Sequence, residues 1–567
     1  MQNEWIIAPP EELDGGPIAW SEVCGSPCIS RLLARRGFVC REEVENFLHP
    51  RLKSLGDPFL LPEMNRAVTR LLAAVDQGER IVLFGDYDVD GVTSLALLGS
   101  VLRAYGASPA LFLPMRMEEG YGLSRESMER CLQEHRPQLL VAVDCGTSSG
   151  AEIRQLQGRG VDVIVLDHHE PKSSLPECVA LVNPKTDPAS LFHYLCSVGI
   201  VFKLGHALLK TRPVPGFDLR AHLDLVALGT VADIVPLQGE NRVLVQKGAE
   251  EIARSQRPGL KALLKVSGVH PPVLPEHIGF RLGPRLNAAG RLSTAEKALR
   301  LLLTTDPAEA ALLAETLDQQ NRERQDVERQ VFAAAEAKIR TEYDSGKHAA
   351  IVVGARDWHP GVLGIVASRL ARKFHRPAIV VGFDESGQGK GSGRSIEGLS
   401  LVETLARCHE WLDKYGGHEM AAGLTLREEN LAGFSDAFQR AARELLSDDQ
   451  LRPRLRIDHE LALSEVNFEL LRWHELLQPF GNGNPQPLFY ARKVESVAAP
   501  RVLKEKHLLL RLRQRKHHQR AVFFDGAGIE LPPPPWDVAF RIKAGEYLGE
   551  ATLDLHVQAL RQSQPIS

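Results

Sequence analysis

Ile81-Val82-Leu83-Phe84-Gly85-Asp86-Tyr87-Asp88-Val89-Asp90-Gly91 decides the reading of this chain. A short apolar run rich in β-branched side chains ends in a glycine and three carboxylates spaced two residues apart. The run lacks polar alternation, which is the pattern of a strand covered on both faces. Similar runs follow at 110–113, 139–143 and 161–166, with helix-like stretches at 92–104, 123–135 and 150–158 between them. This alternation predicts an α/β fold on a buried parallel sheet.

The strand ends carry the chemistry. The run at 139–143 ends in Asp144-Cys145-Gly146, and that at 161–166 in Asp167-His168-His169-Glu170. Open parallel sheets place their ligands at the carboxyl ends of the strands. Acids gathered at one sheet edge repel one another unless cations intervene. Mn²⁺ or Mg²⁺ suits a mixed carboxylate and imidazole shell. A lone Asp at a strand end is ordinarily a cap or turn residue, so the weight lies in three such ends occurring together. A calcium loop is excluded: the twelfth residue from Asp86 is Leu97, where an EF-hand needs Glu.

At 567 residues the chain has room for three to five domains. Its 44% hydrophobic and 25% charged content is that of a globular protein, and its net charge of −4 excludes a uniformly basic nucleic-acid binder. No apolar run is long enough to span a bilayer, and the N-terminus lacks a basic, apolar leader, so no membrane association is expected. Eight cysteines without a C-x-x-C pair fit a reducing cytoplasm better than a disulfide framework. Cys24 and Cys28 have no second pair to complete a metal site, which favours buried thiols. From Asp306 to Arg340 no glycine occurs, and proline only at Pro307; this predicts one long helix, capped by Asp306 and charged on most faces, connecting two domains. A second α/β unit has strands at 349–353 and 378–381 and a helix at 362–374. Short alternating segments at 508–512, 520–524 and 553–557 predict a small antiparallel barrel, with Pro532–Pro535 in a surface loop.

Residues 85–91, with Asp144 and Asp167-His168-His169, resemble the signature of the DHH phosphoesterase superfamily. Residues 225–233 resemble its fourth motif, and Gly416-Gly417-His418-Glu419-Met420-Ala421-Ala422-Gly423 the DHHA1 domain that accompanies it. Stretches 113–123, 282–291 and 479–485 extend the resemblance to the bacterial single-strand-specific 5′→3′ exonucleases of that superfamily. The resemblance implies an N-terminal arm at 1–48, a DHH catalytic domain at 49–304, a connecting helix at 305–342, a DHHA1 domain at 343–448 and an OB-like DNA-binding barrel at 449–567. It implies two Mn²⁺ or Mg²⁺ ions held by Asp88, Asp90, Asp144, His168 and Asp233, with Asp144 bridging. Asp86 is either a ligand or an acid behind the ligands, and His169 faces the scissile phosphate. The implied reaction is hydrolysis of single-stranded DNA to 5′-mononucleotides by a metal-activated water, in recombination and mismatch repair. The implied partners are single-stranded DNA, a single-strand-binding protein and a RecQ-type helicase, and the chain is expected to be a monomer.

Direction requires recognition of a terminal phosphate. Residues 389–395 offer glycines, Ser392 and Arg394, and resemble the family's 5′-phosphate pocket; the alternative is a flexible turn. His418, Arg116 and Arg285 are further candidates, the two arginines fitting structural ion pairs equally well. Residues 451–567 carry a net charge of +4 and residues 1–450 one of −8. In a strand, Arg511, Arg513 and Arg515 share one face and Leu510 and Leu512 the other, which suits a phosphate track or, alternatively, a charged edge protected against aggregation. A small-substrate phosphoesterase or a family-II pyrophosphatase has no use for this basic barrel, and the intact acids argue against a non-catalytic scaffold. A cleft framed by the long helix and the two α/β units is expected to exclude duplex.

Overall fold

The protein is described here as a computed structural model covering residues 4–8, 24–115, 118–120, 122–171, 174–292, 294–344, 347–547 and 550–563. Its first sheet is five-stranded and all-parallel, in the order Ala110–Phe112, Ile81–Gly85, Leu139–Val143, Asp162–Leu166, Ala180–Val182. The last strand is an addition to the four expected. Leu139, Val141 and Val143 bury against one helical layer, while Leu140 and Ala142 bury against another. Coverage of both faces explains the unbroken apolar runs. The chain starts in Ile81–Gly85, steps one way to Ala110–Phe112 and then reverses to Leu139–Val143. The reversal opens a crevice between the carboxyl ends of Ile81–Gly85 and Leu139–Val143, the topological switch point of such sheets. Asp86, Asp88 and Asp144 follow those two strands directly.

The connecting helix runs Pro307–Glu342, with Asp306 accepting from the Ala308 amide at its N-cap. Its charges are less solvated than the sequence suggests. Arg324 and Glu328 are buried, and Glu328 also accepts from Arg369 of the helix Pro360–Phe374 at 2.9 Å. The second sheet is mixed, ordered Lys414–Gly417, Ala421–Arg427, Gln388–Arg394, Ala378–Phe383, Ile351–Arg356. The glycine-rich stretch is therefore neither loop nor flexible turn: Gln388–Arg394 is the central strand of that sheet, paired on both sides.

The C-terminal barrel closes with five strands, Phe489–Ser496, Trp536–Tyr547, Glu550–Gln562, His517–Phe523 and His507–Gln514, the last pairing back onto the first. It is not wholly antiparallel, because Glu550–Gln562 runs parallel to His517–Phe523. The N-terminal helices Pro27–Arg35 and Arg41–Leu48 share its core: Ile29, Leu33 and Leu48 pack with Leu510, Phe489 and Phe540. Glu4–Ile7 adds a strand parallel to Arg454–Ile457. The described residues among the first fifty thus pack with the barrel.

One buried cation ties three parts of the chain together. Arg242, on the helix Gly239–Arg254 beside the first sheet's helices, donates to the carbonyls of Phe47, Leu477 and Leu476 at 2.8, 2.9 and 2.9 Å and stacks on the Phe47 ring. Burial pushes its guanidinium down to about 9. Arg242→Ala strands three carbonyls and is expected to loosen the arm and barrel by on the order of 3 kcal/mol. Hydrogen exchange of residues 41–48 and 476–485 should rise together; unchanged protection at both would contradict the role.

Candidate metal centre

The loop after Ile81–Gly85 turns at once into the helix Val89–Ala104. Asp88 caps it, accepting from the amides of Asp90 and Gly91 at 2.9 and 3.2 Å. Gly91 is required for the tightness of this turn, since a Cβ there would lie 2.3 Å from the Asp86 carbonyl oxygen. Asp90 is aimed across the crevice at a second helix start. Its two oxygens accept from the amides of Ser197 and Val198 at 2.7 and 2.8 Å, where the partial positive charge of the helix Ser197–Thr211 favours an anion. Asp144 has φ of +63° and accepts from the Ser197 hydroxyl at 2.9 Å. Asp233 is the C-cap of the helix Leu223–Ala232.

His168 lies among them. Its Nε2 is 3.4 Å from Asp144 Oδ1, 3.5 Å from Asp233 Oδ2 and 4.0 Å from Asp90 Oδ2. Burial, with the neighbouring His169, pushes its pKa down to about 3, so the ring is neutral and its nitrogen is free to act as a ligand. The carboxyls shift the other way. Burial first, then the neighbouring acids, raises Asp86, Asp144 and Asp233 well above the usual range and Asp90 to about 7. Asp86 Oδ1, His168 Nε2 and Asp233 Oδ2 are buried without a hydrogen-bond partner among the described residues. Two acid-rich sets emerge: Asp86, Asp88 and Asp144, and Asp90, His168 and Asp233, each with ligand atoms within 4.8 Å of one another. Asp144 also groups with His168 and His169 and so lies between the two sets. Oxygen and imidazole donors at this spacing fit two hard divalent cations.

Several residues have supporting roles that the sequence did not assign them. Asp167 accepts from the His168 and His169 amides and from His169 Nδ1 at 2.8, 3.2 and 2.7 Å, and from the Thr147 amide at 3.0 Å. Although burial opposes ionisation, these bonds hold it an anion with its pKa lowered, and it orients His169. Asn183 donates to Thr147 Oγ1 and the His169 carbonyl, fixing the same loop. Asn287, inside 282–291, accepts from the Val89 amide at 3.1 Å. Lys185 pairs with Glu170 at 3.0 Å at the edge of the site. Asp167 was visible as the first letter of Asp-His-His; the amides of Ser197 and Val198 carry no side-chain signal.

The remaining candidates divide. Ser392 and Arg394 meet on one strand, Arg394 donating to the Ser392 hydroxyl and the Gly393 carbonyl at 3.3 and 2.8 Å. Burial lowers the Arg394 pKa, and no carboxylate pairs with it among the described residues. His418 is exposed at the tip of Lys414–Gly417, within electrostatic reach of His169 and Lys185. Arg285 is engaged by Asp318 of the connecting helix at 2.8 Å, the ion-pair alternative. Arg116 lies outside the described residues. Arg511 and Arg513 are exposed on His507–Gln514 while Leu510 and Leu512 are buried, but Arg513 pairs with Glu495. Arg515 does not share that face: the strand ends at Gln514, and Arg515 sits in the following turn with φ of +55°.

Three family models match the chain: the DHH family N-terminal domain at residues 80–230, the DHHA1 domain at 346–444 and the RecJ OB domain at 457–559. The single-stranded-DNA-specific exonuclease RecJ of Dickeya dadantii is 36% identical over 563 residues, 94% of this chain and 95% of that one. That of Bacillus subtilis is 39% identical over 465 residues; the match covers 82% of this chain and 58% of the longer relative. The crystal structure of RecJ from Thermus thermophilus in complex with Mn²⁺ superposes with a TM-score of 0.84 at 32% identity, covering 99% of this chain and 80% of that one. A metal-ready cluster at the switch point, the three matching domains and identity spanning nearly all of a relative lead to one assignment: the chain belongs to the RecJ family of exonucleases.

Proposed function

We propose that this chain is a divalent-metal-dependent exonuclease that degrades single-stranded DNA from its 5′ end to 5′-mononucleotides. The observation that carries the reading is the convergence of Asp86 Oδ1, His168 Nε2 and Asp233 Oδ2 at the carboxyl edge of the parallel sheet, each buried without a hydrogen-bond partner among the described residues. Asp86, Asp88 and Asp144 would hold one Mn²⁺ or Mg²⁺, and Asp90, His168 and Asp233 the other, with Asp144 shared. Two such ions, when bound, supply Lewis acidity at the phosphodiester and lower the pKa of an attacking water.

The protein's own groups do the rest. Asp90 is locked by two amides, so its lone pairs keep a fixed direction. Burial would lower the His169 pKa, but the bond to Asp167 and the surrounding carboxylates outweigh it and raise the value. With Nδ1 committed to Asp167, Nε2 carries a proton toward the non-bridging oxygen of the scissile phosphate. Arg394 and Ser392 take the terminal 5′-phosphate: a desolvated guanidinium lacking an acidic partner is a strong site for a dianion. His418 approaches the strand from the DHHA1 side, and Arg511 of the barrel guides its 3′ continuation. The cleft admits one strand and not two. The units comprise an arm at 1–48, the DHH domain at 49–304, the helix at 305–342, the DHHA1 domain at 343–448 and the barrel at 449–567. The protein acts as a cytoplasmic monomer in recombination and mismatch repair, on strands supplied by a RecQ-type helicase and covered by single-strand-binding protein.

Asp144→Ala is expected to reduce Mn²⁺-dependent release of the 5′-labelled nucleotide about 10³-fold or more while single-strand affinity persists; retained turnover would sink the assignment. Gly364 lies against the phosphate pair, and a Cβ there would stand 3.0 Å from Ser392 Oγ and 3.1 Å from Arg394 Nη2. Gly364→Ala and Arg394→Ala should each erase the preference for a 5′-phosphate over a 5′-hydroxyl strand, a loss of about 10–100-fold. An unchanged preference in both would remove the pocket from this role.

Raised carboxyl pKa values also set a pH rule. Acids whose folded-state pKa is raised bind more protons folded than unfolded. The metal-free protein therefore loses stability as pH rises from the ordinary carboxylate range to about 7, the value for Asp90. Mn²⁺ must displace those protons. The rise in Tm on adding Mn²⁺ should accordingly be larger near about pH 8 than near about pH 5.5; an equal rise at both would contradict the cluster as the binding site.

A further inference from the structure

The residue after Asp233 breaks a local rule. The helix Leu223–Ala232 ends with Asp233 as C-cap, and Ile234 follows with φ of +61°. That position ordinarily belongs to glycine, and a β-branched side chain is among the least suited to it. Packing offers no compensation, because Ile234 is 71% exposed. Such conformations persist only where their surroundings over-determine them.

Those surroundings come from the barrel domain. Asn482 donates from Nδ2 to the Ile234 carbonyl at 2.7 Å, and its own carbonyl accepts from the Leu237 amide at 2.7 Å. Gln238 donates to the Gly483 carbonyl at 2.9 Å. The clamp is itself braced. Gly481 and Asn484 exchange backbone hydrogen bonds, and the buried Asn484 side chain donates to the carbonyls of Leu477 and Pro479 while accepting from Arg36. Residues 479–485 therefore dock on the segment that leaves the candidate ligand Asp233.

We propose that Asn482 is a positioning residue for the metal centre: its amide holds Ile234 at positive φ and so fixes the Asp233 carboxylate one residue upstream, facing His168. The barrel domain then completes the catalytic site as well as gripping the strand. This rests on Asp233 being a metal ligand. When the clamp is absent, Ile234 relaxes toward negative φ and carries Asp233 out of register.

The test uses the full chain with Asn482→Ala, Asn482→Asp, whose carboxylate has the same shape but cannot donate, and each combined with Ile234→Gly. Four quantities are read: turnover at saturating single-stranded DNA, affinity for that DNA, Mn²⁺ affinity by calorimetry, and hydrogen exchange of residues 229–238 in the metal-free protein. Both single variants are expected to lose turnover and Mn²⁺ affinity about tenfold or more. DNA affinity should change less than about twofold, and exchange at 233–237 should rise. Ile234→Gly should recover most of each loss, because glycine adopts positive φ unaided. A loss confined to DNA affinity, or no recovery on adding Ile234→Gly, would overturn the proposal. Asp233→Asn separates the two layers. If it leaves Mn²⁺ affinity intact, the ligand reading falls and the proposal with it; if it weakens Mn²⁺ while Asn482→Asp does not, only the proposal falls.

Discussion

Mutual repulsion among carboxylates at the switch point is the constraint on which the rest of the structure depends. Asp86, Asp90 and Asp144 are almost wholly buried, and Asp88 and Asp233 adjoin them. The protein supplies little positive charge of its own there: His168 is neutral, and His169 Nδ1 is committed to Asp167. Helix dipoles and amides reduce the cost at Asp90, but three buried polar atoms stay unsatisfied. An arrangement so unfavourable without ligand is stabilised by divalent cations and, through them, by an anionic phosphodiester. The acids thus create the affinity that the reaction uses.

Such a cluster needs a rigid frame, and the frame extends well beyond the catalytic sheet. The five strands fix Asp86, Asp88 and Asp144 from below, and two helix ends bring Asp90's amide partners and Asp233 from the side. The barrel holds the chain just past Asp233 through Asn482, and Arg242 fastens the arm and the barrel by donating to three of their carbonyls. The connecting helix carries a chain of ion pairs, Arg324 to Glu328 to Arg369, that ties it to the helix Pro360–Phe374 packed on the second sheet. The metal-ligating cluster, the Ser392–Arg394 pair and the barrel are therefore joined by one set of polar fasteners. Asn482, Arg242 and Arg369 each reach partners that lie far away in sequence.

That distance explains what the sequence discloses and what it withholds. The acids at 86–90 and 144 and the histidines at 168–169 are legible because each group follows a strand whose apolar run is itself a local signal. The connecting helix is legible for the same reason, from its cap at Asp306 and its lack of later breakers. Residues 388–394 are misleading as a turn: alternate glycines depress strand propensity, yet those glycines make room for Phe383, Leu424 and Ile379, and pairing on both sides imposes the strand. Arg515 departs from its expected face because a two-residue turn begins one position earlier than the alternation implies. Arg285 meets Asp318 and Asp90 meets two amides across long stretches of chain, and no spacing rule anticipates either contact.

The central claim is that Asp144 divides two cation sites at the switch point of the parallel sheet. Crystals of the full chain soaked in Mn²⁺ and measured at the manganese absorption edge test it most directly. The account predicts two anomalous peaks, one touching Asp86 and Asp88, the other touching Asp90, His168 and Asp233, with Asp144 contacting both. A single peak, or peaks that leave Asp144 uncoordinated, would contradict it.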